Sequence, residues 1–176
     1  TVKVGEEANS LFSGFSNLTG INGMENLDTS STTDMSNMFL WDYNLDTRKV
    51  DFSKLNTSNV TDMHNMFNGA FMYNNDEDNN PEPVLDLSSF DTSKVTNMSE
   101  MFQSAQALAS INMNNWDTSN VTDMGYMFDD TQNLISLDVS KFNTEKVKFM
   151  ENMFTSPKLL HLDLSNFKTP SLTAVS

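Results

Sequence analysis

A short phrase built on methionine and phenylalanine recurs along this chain and constrains its fold more than any other feature. The phrase reads Val-Thr-x-Met-x-x-Met-Phe with small variations, follows a degenerate copy at Leu11-Phe12, and closes at Phe39, Phe67, Phe102, Phe128 and Phe154. The shortest spacing between closing phenylalanines recurs twice in succession, from Phe102 to Phe128 and from Phe128 to Phe154. A basal period of about 26 residues indicates stacked structural repeats, each of which contacts mainly its neighbours.

A second phrase recurs with the same period. Leu85-Asp86-Leu87-Ser88 is one copy, and its alternation of apolar and polar residues predicts a short, half-buried strand. The sequence Asp/Asn-Thr-Ser follows in most repeats and predicts a turn whose side chains bond nearby backbone amides. In Thr-x-Met-x-x-Met-Phe, the apolar residues at i, i+3 and i+4 predict a short helix with the threonine as its N-cap.

One strand and one short helix per repeat are typical of a leucine-rich-repeat coil. The phrases also resemble the 26-residue surface-protein repeat of BspA-like leucine-rich-repeat proteins, over roughly residues 11–172. We therefore predict an α/β repeat fold, a leucine-rich-repeat solenoid with one short parallel strand and one short helix per turn. Residues 1–28 are predicted to form an N-terminal cap and partial repeat, and residues 29–176 the solenoid, as a fragment of a longer protein.

The resemblance implies a function as well as a fold. BspA-like proteins are exposed adhesion and binding modules on bacterial surfaces, so it implies an extracellular, non-enzymatic module. Its expected partner is a host matrix protein, a mucin or another cell-surface protein or glycan, bound through an acidic strand face and inserted loops. The alternative is a structural spacer that displays another domain and binds no ligand of its own.

Charge and composition exclude several other classes of protein. The chain carries 24 acidic and 10 basic residues, a net charge of −14, which disfavours nucleic acid because phosphate binding needs clustered Lys and Arg. The sequence has no apolar run of the ~18 residues needed to span a bilayer, so we expect no direct membrane insertion. It also contains no cysteine, which excludes disulfides and thiolate metal sites.

We find no constellation in the sequence that predicts catalysis, a metal site or a cofactor. The two histidines, His64 and His161, are far apart along the stack, and His64 is interpreted as a surface residue. The acidic run Asp76–Asn80 lacks the glycine and the final glutamate of a calcium loop, which favours a solvated loop over weak calcium binding. The repeated methionines are interpreted as core residues rather than soft-metal ligands.

Two sets of residues are candidates for ligand binding. The first is the polar position of each strand, which either solubilises one face or binds a basic partner: Asp51, Asp86, Asn112, Asp138 and Asp163. The second set comprises Trp41, Tyr43 and Phe71, aromatic residues in two neighbouring connections that either contact a ligand or cap the core. Tyr73 and Trp116 are both predicted to lie in the core.

Overall fold

Successive repeats pair in parallel in the computed structural model, which describes residues 1–73, 84–155 and 157–173. Two strands pair near the N-terminus, β1 (Val2–Lys3) and β2 (Leu27–Asp28). A second sheet contains, in this order, β3 (Val84–Asp86), β4 (Ser110–Asn112) and β5 (Ser136–Leu137). Leu85 of β3 is opposite Ile111 of β4, so the register of the sheet is offset by one basal repeat.

A second line of parallel pairing runs along the stack. Single-residue bridges join one position of successive phrases, the residue before the first methionine or, in the degenerate first copy, before Ala8. They run in the order Glu7, Asp34, Asp62, Asn97, Asp123 and Phe149. The bridge from Asp62 to Asn97 crosses the longest gap between repeats and keeps the same register. The inserted residues therefore leave the stacking of the repeats on either side unchanged.

The core follows the repeated methionines and phenylalanines. Both methionines of the phrase are fully buried in the middle repeats, as the core interpretation predicts, and Trp116 is also buried. The closing phenylalanines form a continuous ladder from Phe12 to Phe154. Neighbouring ring centroids in this ladder are 5.3–5.8 Å apart, and the ring planes lie within 16° of parallel. Each repeat thus contributes one ring to a stack that joins all of them.

The segments predicted as short helices are instead series of turns. Alternate backbone N–H groups of the phrase donate to the next repeat: Met35 to Asp62 at 3.0 Å, Asn37 to His64 at 3.0 Å and Phe39 to Met66 at 2.9 Å. Asn37 also has φ of +57°, which an α-helix does not allow. The N–H groups that a helix would use are thus engaged between repeats. In the described residues, the helical segments are the 3-10 turns Met24–Asn26, Thr47–Lys49 and Phe52–Lys54.

The threonine of Asp/Asn-Thr-Ser also bonds differently from the prediction. Thr92 Oγ1 donates to the carbonyl of Asp117 in the next repeat and accepts from the Asp117 N–H, both at 2.9 Å. The equivalent threonines are all buried: Thr29, Thr57, Thr92, Thr118 and Thr144. The acidic residue of the phrase does form the predicted local turn, since Asp91 Oδ1 accepts from the Ser93 N–H at 3.0 Å. The phrase therefore combines a local turn with a bond between repeats.

Candidate functional site

The candidate polar residues occupy one position of successive repeats, and we name this set the acidic row: Asp51, Asp86, Asn112, Asp138 and Asp163. Asp86 and Asn112 lie in β3 and β4, whereas the other three lie outside the described strands, so the strand predicted for every repeat forms only in part. All four aspartates are exposed, and Asn112 is half-buried. Asp86 and Asn112 are paired between β3 and β4, and Asn112 Nδ2 donates to Asp86 Oδ1 at 3.0 Å. The alternation read from the sequence therefore predicts which position of the repeat faces solvent, including at Asp51, Asp138 and Asp163, which lie outside the described strands.

Each aspartate of the acidic row is also built into a turn. Asp86 Oδ1 accepts from the backbone N–H of Ser88 at 3.0 Å and from its hydroxyl at 2.7 Å. The same turn recurs at the other three aspartates, with Ser53, Ser140 and Ser165 as donors. These serine hydrogen bonds stabilise the charged form and lower the pKa of all four carboxyl groups. The row is therefore anionic at neutral pH.

The second carboxylate oxygen of most row members is not used by the fold. In the described part of the chain, Oδ2 of Asp86, Asp138 and Asp163 accepts no hydrogen bond. Oδ2 of Asp51 lies 3.5 Å from Lys54 Nζ, at an exposed ion pair. One oxygen of each carboxylate thus holds the turn, while the other points to a surface that a cationic group could contact.

The acidic row is interrupted between Asp51 and Asp86. The chain turns into the 3-10 segment Phe52–Lys54 after Asp51, and a cleft of about 290 Å³ lies between it and β3. A larger cleft of about 590 Å³ on the other side of Asp51 is lined by residues that include Arg48 and Lys49. Arg48 binds the Asp46 carboxylate at 2.8 and 2.9 Å and is the main cause that lowers the Asp46 pKa to about 2.

The two aromatic connections lie side by side, as predicted. The backbone N–H groups of Met72 and Tyr73 donate to the Tyr43 carbonyl at 2.9 and 3.2 Å. Trp41 is 53% exposed, whereas Tyr43 is half-buried. A Cβ added to Gly69 would lie only 2.9 Å from Trp41 Cδ1, which places the indole against the backbone of the second connection.

In this region the structure contradicts Phe71 as a ligand-binding candidate, in favour of the core alternative, and it contradicts the core assignment of Tyr73. Phe71 is only 1% exposed, so it belongs to the core rather than to an accessible surface, whereas Tyr73 is 55% exposed. Phe71 has φ of +53° and turns its ring to within 5.8 Å of Phe67 and 6.3 Å of Phe52, between centroids. Its carbonyl accepts from Ala107 at 2.8 Å, so Phe71 rather than Tyr73 fills the space beside the next repeat.

In these two connections the exposed aromatic residues are therefore Trp41 and Tyr73, which we name the exposed aromatic pair. The spacing predicts a core position for Tyr73, because Tyr73 follows the closing Phe67 at the same distance in sequence as the buried Leu108 follows Phe102. This prediction does not hold because the residues inserted between Phe67 and Phe102 interrupt the basal period. The interruption is the sequence signal that could have identified Tyr73 as an exposed residue.

Within residues 1–73, 84–155 and 157–173, no cluster of three or more His, Cys, Asp or Glu side chains could hold a metal ion. The acidic run Asp76–Asn80, considered above as a calcium loop, lies outside the described residues. His64 is half-buried, and its Nδ1 lies 2.9 Å from Asp62 Oδ1. None of the helices described is long and apolar enough to cross a membrane.

The described structure is that of a repeat protein, in which successive repeats pair in parallel around a phenylalanine ladder and expose an acidic row. A family model described as "Mycoplasma protein of unknown function, DUF285" matches residues 6–82 and 77–176. These two matches cover nearly the whole chain, which therefore belongs to this family. No curated protein and no solved structure matches the chain.

Proposed function

We propose that this chain is a binding module of a bacterial cell surface and recognises a basic segment of a host or neighbouring-cell macromolecule. The observation that carries the proposal is the acidic row, in which the turns at Asp86, Asp138 and Asp163 each leave one carboxylate oxygen of an exposed side chain without a hydrogen bond among the described residues. Lowered pKa values keep these groups charged, and the net charge of −14 steers a cationic partner toward the domain. A basic segment of a matrix protein, or of another cell-surface macromolecule, would supply the cationic groups that this surface can contact.

The exposed aromatic pair supplies a second element of the proposed surface. Trp41 and Tyr73 lie on connections tied together through the Tyr43 carbonyl, so the two rings are presented by a fixed backbone. Aromatic side chains contribute much of the binding energy at protein interfaces. Loops on a rigid scaffold also carry function more often than the scaffold itself.

The placement on a cell surface follows from the resemblance to BspA-like surface repeats, to which we assign the chain. Parallel pairing offset by one repeat supports the leucine-rich-repeat solenoid of that class, with turns in place of helices. We infer an extracellular, non-enzymatic protein that binds neither nucleic acid nor the interior of a membrane. Family membership supports a bacterial source.

The proposal is tested with an array of extracellular-matrix proteins, mucins and glycans that is probed with the labelled chain. A bound partner is then titrated against Asp86→Asn/Asp138→Asn, which removes two charges from the acidic row. Asn112 occupies the same row, so asparagine is compatible with this turn. We expect affinity to fall at least tenfold, and association to slow as salt rises from about 10 to about 150 mM, which shortens the screening length from about 30 to about 8 Å.

A matched control separates the acidic row from net charge. Asp91 and Asp117 are exposed and accept from the N–H of Ser93 and Ser119 in the same kind of turn, but at another corner of the repeat. The variant Asp91→Asn/Asp117→Asn therefore changes the charge by the same amount away from the row. Equal loss of affinity in both double variants would refute the assignment of the site.

The second candidate function is a structural spacer, and one observation favours it. Most polar columns of the repeat bond within the stack, including the buried threonines that join every pair of neighbours from Thr29 to Thr144. A spacer needs this stiffness and no ligand. Absence of binding across the whole array, at concentrations up to about 100 µM, would favour the spacer over the binding module.

A further inference from the structure

Asparagine followed by glycine occurs twice in this sequence, at Asn22-Gly23 and at Asn68-Gly69. In this dipeptide the backbone nitrogen of the glycine can attack the side-chain amide carbon of the asparagine, because glycine has no Cβ to hinder the approach. The attack requires that neither group is held by other hydrogen bonds. The two dipeptides can therefore be compared by how the fold uses these groups.

The fold engages both reacting groups at Asn68-Gly69. The Gly69 N–H donates to the Gln103 carbonyl in the next repeat at 2.8 Å. Asn68 Nδ2 donates to Asn65 Oδ1 at 2.8 Å and to Gln103 Oε1 at 3.0 Å. Glu100 Oε2 is a third acceptor of Asn68 Nδ2, at 3.4 Å. These bonds must break before the glycine nitrogen can reach the amide carbon, so the fold protects this dipeptide.

The same groups are unbonded at Asn22-Gly23. Asn22 is exposed, and in the described part of the chain neither its side chain nor the Gly23 N–H forms a hydrogen bond. Both residues line the cleft of about 590 Å³ beside Asp51, which is open to solvent. The reacting groups at this dipeptide are therefore free, and water has access to them.

The free Gly23 N–H results from an interruption inside the stack. By the register of the repeats, Gly23 is equivalent to Leu87, whose N–H donates to the Asn112 carbonyl in the following repeat at 3.0 Å. The equivalent acceptor for Gly23 is the Asp51 carbonyl, which instead accepts from the Lys54 N–H at 3.3 Å in a 3-10 turn. The interruption thus lies between two described repeats and leaves the glycine nitrogen without its usual acceptor.

Asn22 also occupies the position of the acidic row in its own repeat. The parallel bridge between Ile21 and Val50 places Asn22 opposite Asp51 in register. The equivalent Asp86 is exposed in the middle of the stack, so exposure belongs to this position of the repeat. A carboxylate in place of the Asn22 amide would therefore add one negative charge to the row, next to Asp51.

We propose that Asn22 is a site of spontaneous deamidation, which converts it to a carboxylate and extends the acidic row. The Gly23 nitrogen loses its proton and forms a bond to Asn22 Cγ, and the Cγ–Nδ2 bond breaks to release ammonia. The product is a five-membered succinimide. Water then hydrolyses one of the two C–N bonds of the ring, which gives aspartate or isoaspartate. The sequence of steps is a substitution followed by hydrolysis, so water is its only co-reactant.

The modification makes the charge of the acidic row depend on the age of the molecule. A converted chain presents a further anionic contact to a basic partner, beside the contact at Asp51. This consequence rests on the proposed function, whereas the modification itself rests only on the groups described at Asn22 and Gly23.

Peptide mapping by mass spectrometry tests the modification. The folded chain is incubated at mildly alkaline pH and digested at intervals, and each conversion raises the mass of its peptide by about 1 Da. We expect Asn22 to convert at least about tenfold faster than Asn68 in the folded chain, because the bonds at Asn68-Gly69 oppose the attack. In about 8 M urea the two rates should differ by less than about threefold, since neither dipeptide keeps its folded contacts.

The comparison of the two dipeptides also defines the results that would overturn the proposal. Similar rates at Asn22 and Asn68 in the folded chain would do so, as would no conversion at Asn22. A tenfold difference that persists in urea would show that the adjoining sequence, rather than the fold, sets the rates, and it would overturn the structural argument.

Two variants at the site separate the modification from its effect on binding. Asn22→Asp carries the product charge from the start and should fold, because Asp51 and Asp86 occupy the same position. Asn22→Gln keeps an amide but lengthens the side chain, so the five-membered ring cannot form and no mass change is expected. A basic partner found on the array should bind Asn22→Asp more tightly than Asn22→Gln. Equal affinities would count against the acidic row as the binding site, whereas the mass measurement decides the modification alone.

Discussion

The two halves of the stack use the same repeat with different regularity. In residues 84–155 the closing phenylalanines recur at the basal period, and β3, β4 and β5 form a continuous sheet. In residues 1–73 both spacings exceed that period, and apart from the bridges at Asp34, parallel pairing consists of β1 with β2 and a single bridge between Ile21 and Val50. Added residues thus interrupt the sheet, whereas the phenylalanine ladder continues through both halves.

This difference indicates which contacts hold the repeats in register. The ladder and the bridges at Asp34, Asp62 and Asn97 persist where the sheet is interrupted, so they are sufficient to keep neighbouring repeats aligned. The irregular half instead contains the exposed aromatic pair and a buried carboxylate, Asp42. Departures from the repeat are therefore where features specific to this protein are found.

The largest expected effect is a loss of stability, and it compares a phenylalanine of the ladder with one that lies outside the repeated phrase. Phe102→Ala and Phe71→Ala each remove a buried ring and should lower the free energy of unfolding by about 3–5 kcal/mol. Phe102 stacks on Phe67 and Phe128, so its loss should reduce hydrogen-exchange protection in both halves. Phe71 contacts Phe52 and Phe67, so its effect should be confined to residues 50–73.

Urea unfolding combined with amide exchange measures both quantities. Trp116 offers an internal check, because it stacks on Phe102 and its fluorescence should change in Phe102→Ala only. If both variants reduced protection over the same residues, Phe71 would not differ from the ladder phenylalanines in the range of its effect.

The next effect depends on pH and concerns the first half. Asp42 is fully buried, its Oδ1 accepts from the Phe15 N–H at 2.8 Å, and its Oδ2 has no partner in the described part of the chain. Burial raises its pKa to about 6, so protonation favours the folded state. Stability should rise by about 1–2 kcal/mol as the pH falls from about 7.5 to about 5.

The variant Asp42→Asn tests whether protonation of Asp42 causes this rise in stability. The variant should be more stable than the unaltered chain at pH ~7.5 and should lose most of the gain on acidification. Asp46 has the opposite effect, because its pKa is lowered to about 2 and its ionised form stabilises the fold. This stabilisation is lost only as the pH falls below ~4. Asp117→Asn removes an exposed charge as a control, and an equal flattening of the pH profile there would contradict a specific role for Asp42.

Much of the architecture could be predicted because it depends on the period alone. Burial of Met98 and Met101 follows from their spacing, and exposure of Asp86 and Asp138 follows from the alternation in each strand. These properties belong to single positions that recur in every repeat. They require no knowledge of how neighbouring repeats are oriented.

What could not be predicted depends on the neighbouring repeat. The spacing i, i+3, i+4 suits a helix, yet the N–H groups of Met35 and Asn37 bond to the next repeat and a series of turns results. The hydroxyl of Thr92 bonds across repeats for the same reason. Tyr73 is exposed rather than buried because the insertion interrupts the period on which its assignment depended, and Phe71 fills the core instead.

The smallest expected effect compares two glycines, one in each half. Gly69 has φ of +65° and lies against Trp41, so Gly69→Ala should cost about 1–2 kcal/mol and displace the exposed indole. Gly125 has its nearest neighbours at 3.4 Å and occupies the column of Ser36 and Ser99, so Gly125→Ser should be nearly neutral. Thermal unfolding gives the cost, and tryptophan emission reports the Trp41 environment, because Trp116 is buried elsewhere in the stack. Gly69 would then be required by a feature that the regular half lacks, the close approach of two connections that presents Trp41 beside Tyr73. Equal losses of stability in both variants would mean that the contact between the two connections is no more constrained than an ordinary position of the repeat. The exposed aromatic pair would then not be held in a fixed geometry by this contact.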